Sequence, residues 1–295
     1  MSAARRRAAY LSAPEFTGSD LTFAQGFFMS MPDSYDRRAF VGMAFAVATT
    51  FVVAAEGESA TSALARERLD AVAFDAFTLF DPRPVAALAE QLFPGNGMEL
   101  VAAWRTRQFE YTWLRTLTGT YVDFWHVTED ALHFSARSIR LDLTPEKSDR
   151  LMHAWLDIKA WPDVLPALTD MKRQGLRLAI LANPTMKMLD TWIANSQLEG
   201  LFEPHLSTDR VRAFKPDPRA YQMGLEAFRL SRRNIMFAAF GGWDVAGAKG
   251  FGYPTFWVNR AGAPAEELGV SADGVGNSLI DLAGFVARWS DAATR

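Results

Sequence analysis

Apolar residues beyond about residue 70 fall into short unbroken runs separated by longer stretches of helical spacing. Ala71 to Ala76, Leu176 to Leu181, Ile235 to Phe240 and Thr255 to Val258 are each apolar on both faces and bounded by turn residues. Such runs predict buried strands, because a strand covered on both sides loses the alternation of a half-exposed one. Between the second and third lie helical patterns around Lys187 to Asn195 and Arg219 to Phe228, with a weaker strand at His205 to Ser207. Strands alternating with helices imply a parallel sheet wrapped by helices, an α/β fold with a Rossmann-like core.

One interval breaks the alternation. From about Pro84 to Ala160 there is no convincing strand, only helical segments carrying Trp104, Phe109, Tyr111, Trp113, Tyr121, Phe124 and Trp125. The pattern predicts a helical cap over 84–160, inserted between a first piece of core at 69–83 and its continuation at 161–290. Ligands of open α/β sheets bind beyond the carboxyl ends of the strands, so a cap inserted there closes over the site. The nearby Gly95-Asn96-Gly97 reads as a loop.

The N-terminal 60 residues follow a different logic. Arg37 and Arg38 stand before Phe40 and Val41, then an apolar run extends from Gly42 to Ala55 and small residues follow to Ala60. A basic pair, an apolar middle and small residues at a cleavage point make a signal peptide. The adjacent arginines resemble a twin-arginine signal, implying the twin-arginine export machinery as partner and a periplasmic destination. Cleavage after Ala55 or Ala60 fits, and Met29 or Met31 offers an alternative start. The competing reading is an anchoring or buried helix, against which the run is shorter than the roughly 20 residues of a comfortable span.

Composition narrows the functions. The chain has 295 residues, 49% hydrophobic and 22% charged, with a net charge of -3. That is a globular composition, enough for about two domains or one domain with a large insertion. No overall positive field exists to attract nucleic acid. Cys is absent, which removes disulfides, thiolate nucleophiles and sulfur-dependent zinc sites. The four histidines are scattered, and no Ser sits in a nucleophile elbow.

The candidate chemistry stands at the ends of the predicted strands. Asp75 follows the first run, Asn183 the second and Asp244 the third, with Lys215 between the last two in Phe214-Lys215-Pro216-Asp217-Pro218-Arg219-Ala220-Tyr221. A carboxylate at a strand tip serves as nucleophile or metal ligand, or merely caps the next turn. Lys215 before a Pro is also compatible with an exposed turn, Trp243 with packing and Tyr221 with any nearby acceptor. An Asp, an Asn, a Lys and a second Asp in that order would converge on one edge of the sheet.

This constellation resembles the haloacid dehalogenase superfamily, and more closely its type II branch, the (S)-2-haloacid dehalogenases. The resemblance covers about Ala71 to Trp289, and the segment Ala103-Trp104-Arg105-Thr106-Arg107-Gln108-Phe109-Glu110-Tyr111-Thr112-Trp113-Leu114-Arg115 looks like the branch's arginine segment. It implies a displacement needing neither metal nor cofactor: Asp75 attacks the halogen-bearing carbon of a small 2-haloacid, and water then hydrolyses the resulting ester. It further implies that Arg105, Asn183 and Trp243 receive the halide and that Lys215 favours the ionised Asp75. Asp244 would position or deprotonate the water, Tyr221 would complete the polar network, and Phe77, Phe109 and Phe124 would wall the substrate, with Thr78 in the nucleophile loop. Branch members are often homodimers.

The chain departs from the branch pattern in three places. The family's aromatic-Gly-Thr after the nucleophile is Phe77-Thr78 here, one residue shorter; the hydroxyl expected before Asn183 is Ala182; and polar positions before Trp243 are Ala239, Phe240 and Gly241. Each lost hydrogen bond to a charged group is worth about 1.5–3 kcal/mol. A magnesium-dependent phosphatase on the same scaffold is the nearest alternative, but Phe77 stands where its second acid belongs and Val245 to Lys249 offers no further carboxylate for the cation. The other alternative is a non-catalytic relative that binds small carboxylates.

Overall fold

The computed structural model describes residues 67–293; the segment resembling a twin-arginine signal, within 34–60, lies outside the described residues. The core is a six-stranded parallel sheet ordered β5-β4-β1-β6-β7-β8. Its strands are β1 (Ala71–Phe74), β4 (Arg177–Ala182), β5 (His205–Ser207), β6 (Ile235–Ala239), β7 (Thr255–Val258) and β8 (Gly274–Gly276). β1 lies between β4 and β6, with Ala71 opposite both Arg177 and Ile235. All four of its residues are buried, as expected of a central strand covered by helices on both faces.

Three expectations about the strands need correction. The first strand ends at Phe74 rather than Ala76, because the Asp75 side chain accepts from Phe77 N and starts a single helical turn at Ala76–Leu79. The strand β8 was not foreseen, since Gly-Val-Gly carries no apolar run and pairs with β7 through its backbone. The interval 84–160 also ends in a strand residue: β2 (Phe80–Asp81) and β3 (Lys159–Ala160) pair antiparallel, Phe80 opposite Ala160. Both passages between sheet and insertion therefore run side by side, and Trp161 N adds a bond to Leu79 O at 2.9 Å.

The insertion itself is helical: α1 (Arg83–Leu92), α2 (Gly97–Leu117), α3 (Phe124–Ser138) and α4 (Pro145–Ala154). Thr144 caps α4 with Pro145 at its first turn, and the Asp123 carboxylate caps α3 by accepting from His126 N; both use side-chain oxygens to satisfy otherwise unpaired helix-start amides. Gly97, expected in a loop, instead opens α2 where it crosses α1. A Cβ there would stand 2.3 Å from the Glu90 backbone, so only glycine permits that approach. The buried face of α2 comprises Gly97, Leu100, Trp104, Gln108 and Thr112, a stripe at three- and four-residue spacing.

Helices α5 (Val164–Arg173), α6 (Met186–Asn195), α7 (Pro218–Phe228), α8 (Gly242–Phe251) and α9 (Leu279–Ala293) complete the core. One hydrophobic cluster runs from Val72 and Phe74 of β1 through Trp192 of α6 to Trp104 and Trp155 of the insertion. A second, on the opposite face of the sheet, gathers Leu181, Tyr221, Phe237 and Tyr253. The first cluster joins helices of the insertion to the sheet; the second secures the helix that carries Tyr221.

Candidate active site

The carboxyl ends of β1, β4 and β6 bring the predicted polar residues together. Lys215 Nζ donates to Asp75 Oδ2 at 2.7 Å and to Asp244 Oδ2 at 2.9 Å. The three side chains are at most 3% exposed. A cation sharing a dry pocket with two carboxylates compensates part of their mutual repulsion and desolvation, which neither acid tolerates alone. The compact Lys215 ammonium sits where the two carboxylates converge, and a buried ion of this kind needs hydrogen bonds on every side.

Each member is held by its own element. Asp75 N donates to Ala238 O of β6 at 2.9 Å, and its Oδ1 accepts from Phe77 N at 2.7 Å. The carboxylate is therefore both a turn cap and an ion-pair member, so the two roles left open by the sequence coexist. Lys215 N donates to Asn183 Oδ1 at 3.0 Å, and the Thr208 hydroxyl lies 3.5 Å from the same oxygen. Engaging the amide oxygen in this way leaves the Asn183 Nδ2 donor for a ligand. Tyr221 Oη donates to Asp244 Oδ1 at 2.8 Å, and Tyr253 Oη in turn donates to Tyr221 O at 2.8 Å.

Burial and charge set the protonation. Burial raises the Asp244 carboxyl to about 6, with Lys215 opposing that rise and Asp75 adding to it. Burial alone would lower the Lys215 ammonium, but Asp244 and Asp75 outweigh it and the net shift is upward. Tyr221 is pushed well above the phenol range by burial, then by Asp244, so it remains a donor. These directions follow from the cost of a charge in a dry site set against the gain from an opposite neighbour.

Arg105, on α2, supplies the second cation. Its guanidinium lies 4.5 Å from the Phe77 ring centre, 4.7 Å from Phe109 and 5.1 Å from Trp155. Desolvation lowers its pKa to about 10, opposed by the attraction of Asp75; at neutral pH it is still charged. Phe240 packs 5.3 Å from Phe77 and 5.7 Å from Phe109. Trp243 stands 5.3 Å from Phe109 and 5.7 Å from Trp113. Phe77, Phe109 and Trp155 thus box the Arg105 guanidinium, and Phe240 and Trp243 pack against that box from outside.

Phe124 and Thr78 are both engaged by the protein's own groups. Phe124 is fully buried and packs 6.2 Å from Phe214, behind the chain that leads to Lys215. The Thr78 hydroxyl donates to Asp75 O at 2.7 Å, and Arg260, itself paired with Asp163, donates to Thr78 O at 2.9 Å. The shortened loop after Asp75 is thus braced by Arg260, two residues beyond the end of β7. At Gly241 the space is filled by its neighbour, since a Cβ would come 3.0 Å from Trp243 Nε1. Gln108, Trp155, Phe240 and Thr208 also contact predicted site residues, though sequence reasoning gave none of them a role at the site.

The fold and this arrangement define a hydrolase whose parallel-sheet core carries a carboxylate at the tip of its first strand, and the chain belongs to the haloacid dehalogenase-like hydrolase family, whose profile matches residues 48–252. Among its relatives is haloacetate dehalogenase H-2 of Moraxella sp. (strain B), 40% identical over 208 residues, 70% of this chain and 93% of that one. An (S)-2-haloacid dehalogenase of Pseudomonas sp. (strain YL) is 41% identical over 68% of this chain and 88% of its own. The L-2-haloacid dehalogenase of Xanthobacter autotrophicus, solved with chloropropionic acid covalently bound, superimposes with a TM-score of 0.68 at 32% identity, covering 74% of this chain and 98% of that one.

Replacing Lys215 by Met should strand two buried carboxylates against each other and cost about 3–5 kcal/mol of stability at pH 7, read from urea unfolding. Because the Lys215 pKa is raised on folding, its stabilisation is full below the ordinary lysine value of 10.5 and fades as pH rises beyond it. A Met variant as stable as the parent would show that the ion triad is not what holds these strand ends together.

Proposed function

We propose that the protein hydrolyses short (S)-2-haloalkanoic acids to 2-hydroxy acids with inversion, through an ester on Asp75 and without a metal. The observation that carries this reading is the pairing of a fixed, buried Asp75 carboxylate with an aromatic-boxed Arg105 guanidinium close enough to feel its charge. The two are suited to opposite ends of one displacement. An Asp75 oxygen forms a bond to C2 as the carbon-halogen bond breaks, and the halide leaves with the bonding pair towards Arg105, Asn183 and Trp243.

Donors that strengthen only as charge develops on the leaving atom lower the barrier more than they tighten substrate binding. Positioning the carboxylate in a dry site supplies the proximity term. Asp244, bonded to Lys215 and Tyr221, stands beside Asp75 to orient or deprotonate a water that attacks the ester carbonyl and frees the hydroxy acid. Recognition of the substrate carboxylate has few side-chain donors, since Ala182, Ala239 and Gly241 offer none. Names of the relatives support the same chemistry, and the covalent chloropropionic acid complex of the Xanthobacter protein supports an enzyme-bound intermediate.

With a chelator present, purified protein should release chloride from the (S) enantiomer of 2-chloropropionate and yield inverted lactate, and Asp75→Asn should abolish turnover. Magnesium-dependent phosphate release without any halide release would instead favour a phosphatase.

We also infer that the chain is exported by the twin-arginine route, on the strength of Arg37, Arg38 and the apolar run to Ala55. Changing both arginines to lysine should leave the uncleaved precursor inside the cell; normal appearance in the periplasm would refute the route. A homodimer completes the reading, supported by Leu114 and Leu117 at the end of α2, which are 52% and 83% exposed. Sedimentation at micromolar concentration should give twice the chain mass, and a monomer would reject it.

A further inference from the structure

Arg105 has a neutral partner rather than a carboxylate. Its Nη1 donates to Gln108 Oε1. Gln108 is fully buried, on the stripe by which α2 packs against its neighbours, where a polar side chain is costly unless every group is satisfied. Its Nε2 donates to Thr128 Oγ1 at 2.5 Å, and Thr128, also fully buried, donates its own hydroxyl proton to Phe124 O at 2.6 Å. Trp104 Nε1 fastens the same turn of α3 by donating to Thr128 O at 2.7 Å.

The chain of donors runs one way only. The Thr128 hydroxyl is used as a donor towards Phe124 O, so towards Gln108 it can only accept; the Gln108 amide must therefore present its NH2 to Thr128 and its oxygen to Arg105. An acceptor of fixed orientation aims the guanidinium without neutralising it. A carboxylate in the same place would form a bidentate ion pair and consume the charge that a departing anion needs.

We propose that Gln108, oriented by Thr128, is the positioning residue that keeps Arg105 both aimed and uncompensated, and that its neutrality sets how well the site accepts a halide. This rests on the dehalogenase reading above and extends it to a residue that touches neither substrate nor nucleophile.

The test compares the parent protein with Gln108→Glu, Gln108→Met and Thr128→Val, using (S)-2-chloropropionate and (S)-2-bromopropionate as substrates and bromide as a ligand followed by tryptophan fluorescence. Losing or neutralising one charge-assisted contact should lower kcat about 10- to 100-fold with KM little changed. The loss should be greater for chloride than for bromide as leaving group, and saturable bromide quenching should weaken in parallel. Gln108→Glu should be worse than Gln108→Met, because it pairs with Arg105 instead of merely releasing it. A purely packing role would give the opposite order, since Glu is the closer match in shape.

Equal kcat and bromide binding in parent and Gln108→Glu would overturn the proposal. If that variant does not fold, Thr128→Val decides: an unchanged leaving-group ratio and bromide affinity there would overturn it equally. A parent protein that binds bromide through Arg105 but releases no halide from either substrate would defeat the dehalogenase reading while leaving the Gln108 assignment standing, provided bromide binding falls in Gln108→Glu.

Discussion

The buried ammonium of Lys215, shared between Asp75 and Asp244, is the contact on which the arrangement of the site depends. It ties the tips of β1 and β6 together through buried side chains, just beyond the backbone bond from Asp75 N to Ala238 O. A triad of this kind gains little for stability as a whole, since desolvating three charges nearly cancels their attraction. What it does achieve is placement. With Lys215 N anchored on Asn183 and Asp244 anchored on Tyr221 of α7, the position of each carboxylate is set by more than one element of the core.

The second cation is governed by the opposite rule. Lys215 is compensated twice over, whereas Arg105 is surrounded by ring faces and a carboxamide. Quadrupole attraction from aromatic faces steadies a cation at about 0.5–2 kcal/mol per contact without cancelling its charge. One positive group is therefore spent on holding the acids, and the other is kept available. That division suits a reaction in which negative charge travels from a carboxylate to a leaving atom on the other side of a carbon.

Much of this was legible in the sequence because a covered parallel strand must be apolar on both faces, and β1, β4, β6 and β7 announce themselves that way. Lys215, Asn183 and Asp244 follow by standing just past such runs. Other features leave no such trace. The strand β8 has two glycines where side chains would carry a pattern, its backbone lying close against Phe285 and Asp281 of α9, and β2 and β3 are too short to show a period. Gln108 looks like any polar helix residue until Thr128 arrives from a different helix, although its three-residue offset from Arg105 places both on neighbouring rows of α2. The shortened loop after Asp75 read as a weakness; the brace from Arg260 to Thr78 O comes from 182 residues away and no local pattern reveals it. At Phe240 the apparent loss of a polar group is a gain of packing against Phe77 and Phe109, the rings that box Arg105.

The two-stranded ribbon of β2 and β3 has a consequence for how such a molecule diversifies. Because the chain departs and comes home at adjacent points, everything between residues 82 and 158 is a detour whose contents the register of the large sheet does not sense. Helices there can lengthen or turn over their outer surface while the acids and their lysine keep station, so the outer contour of the detour and the reactivity of the acids can evolve on separate clocks.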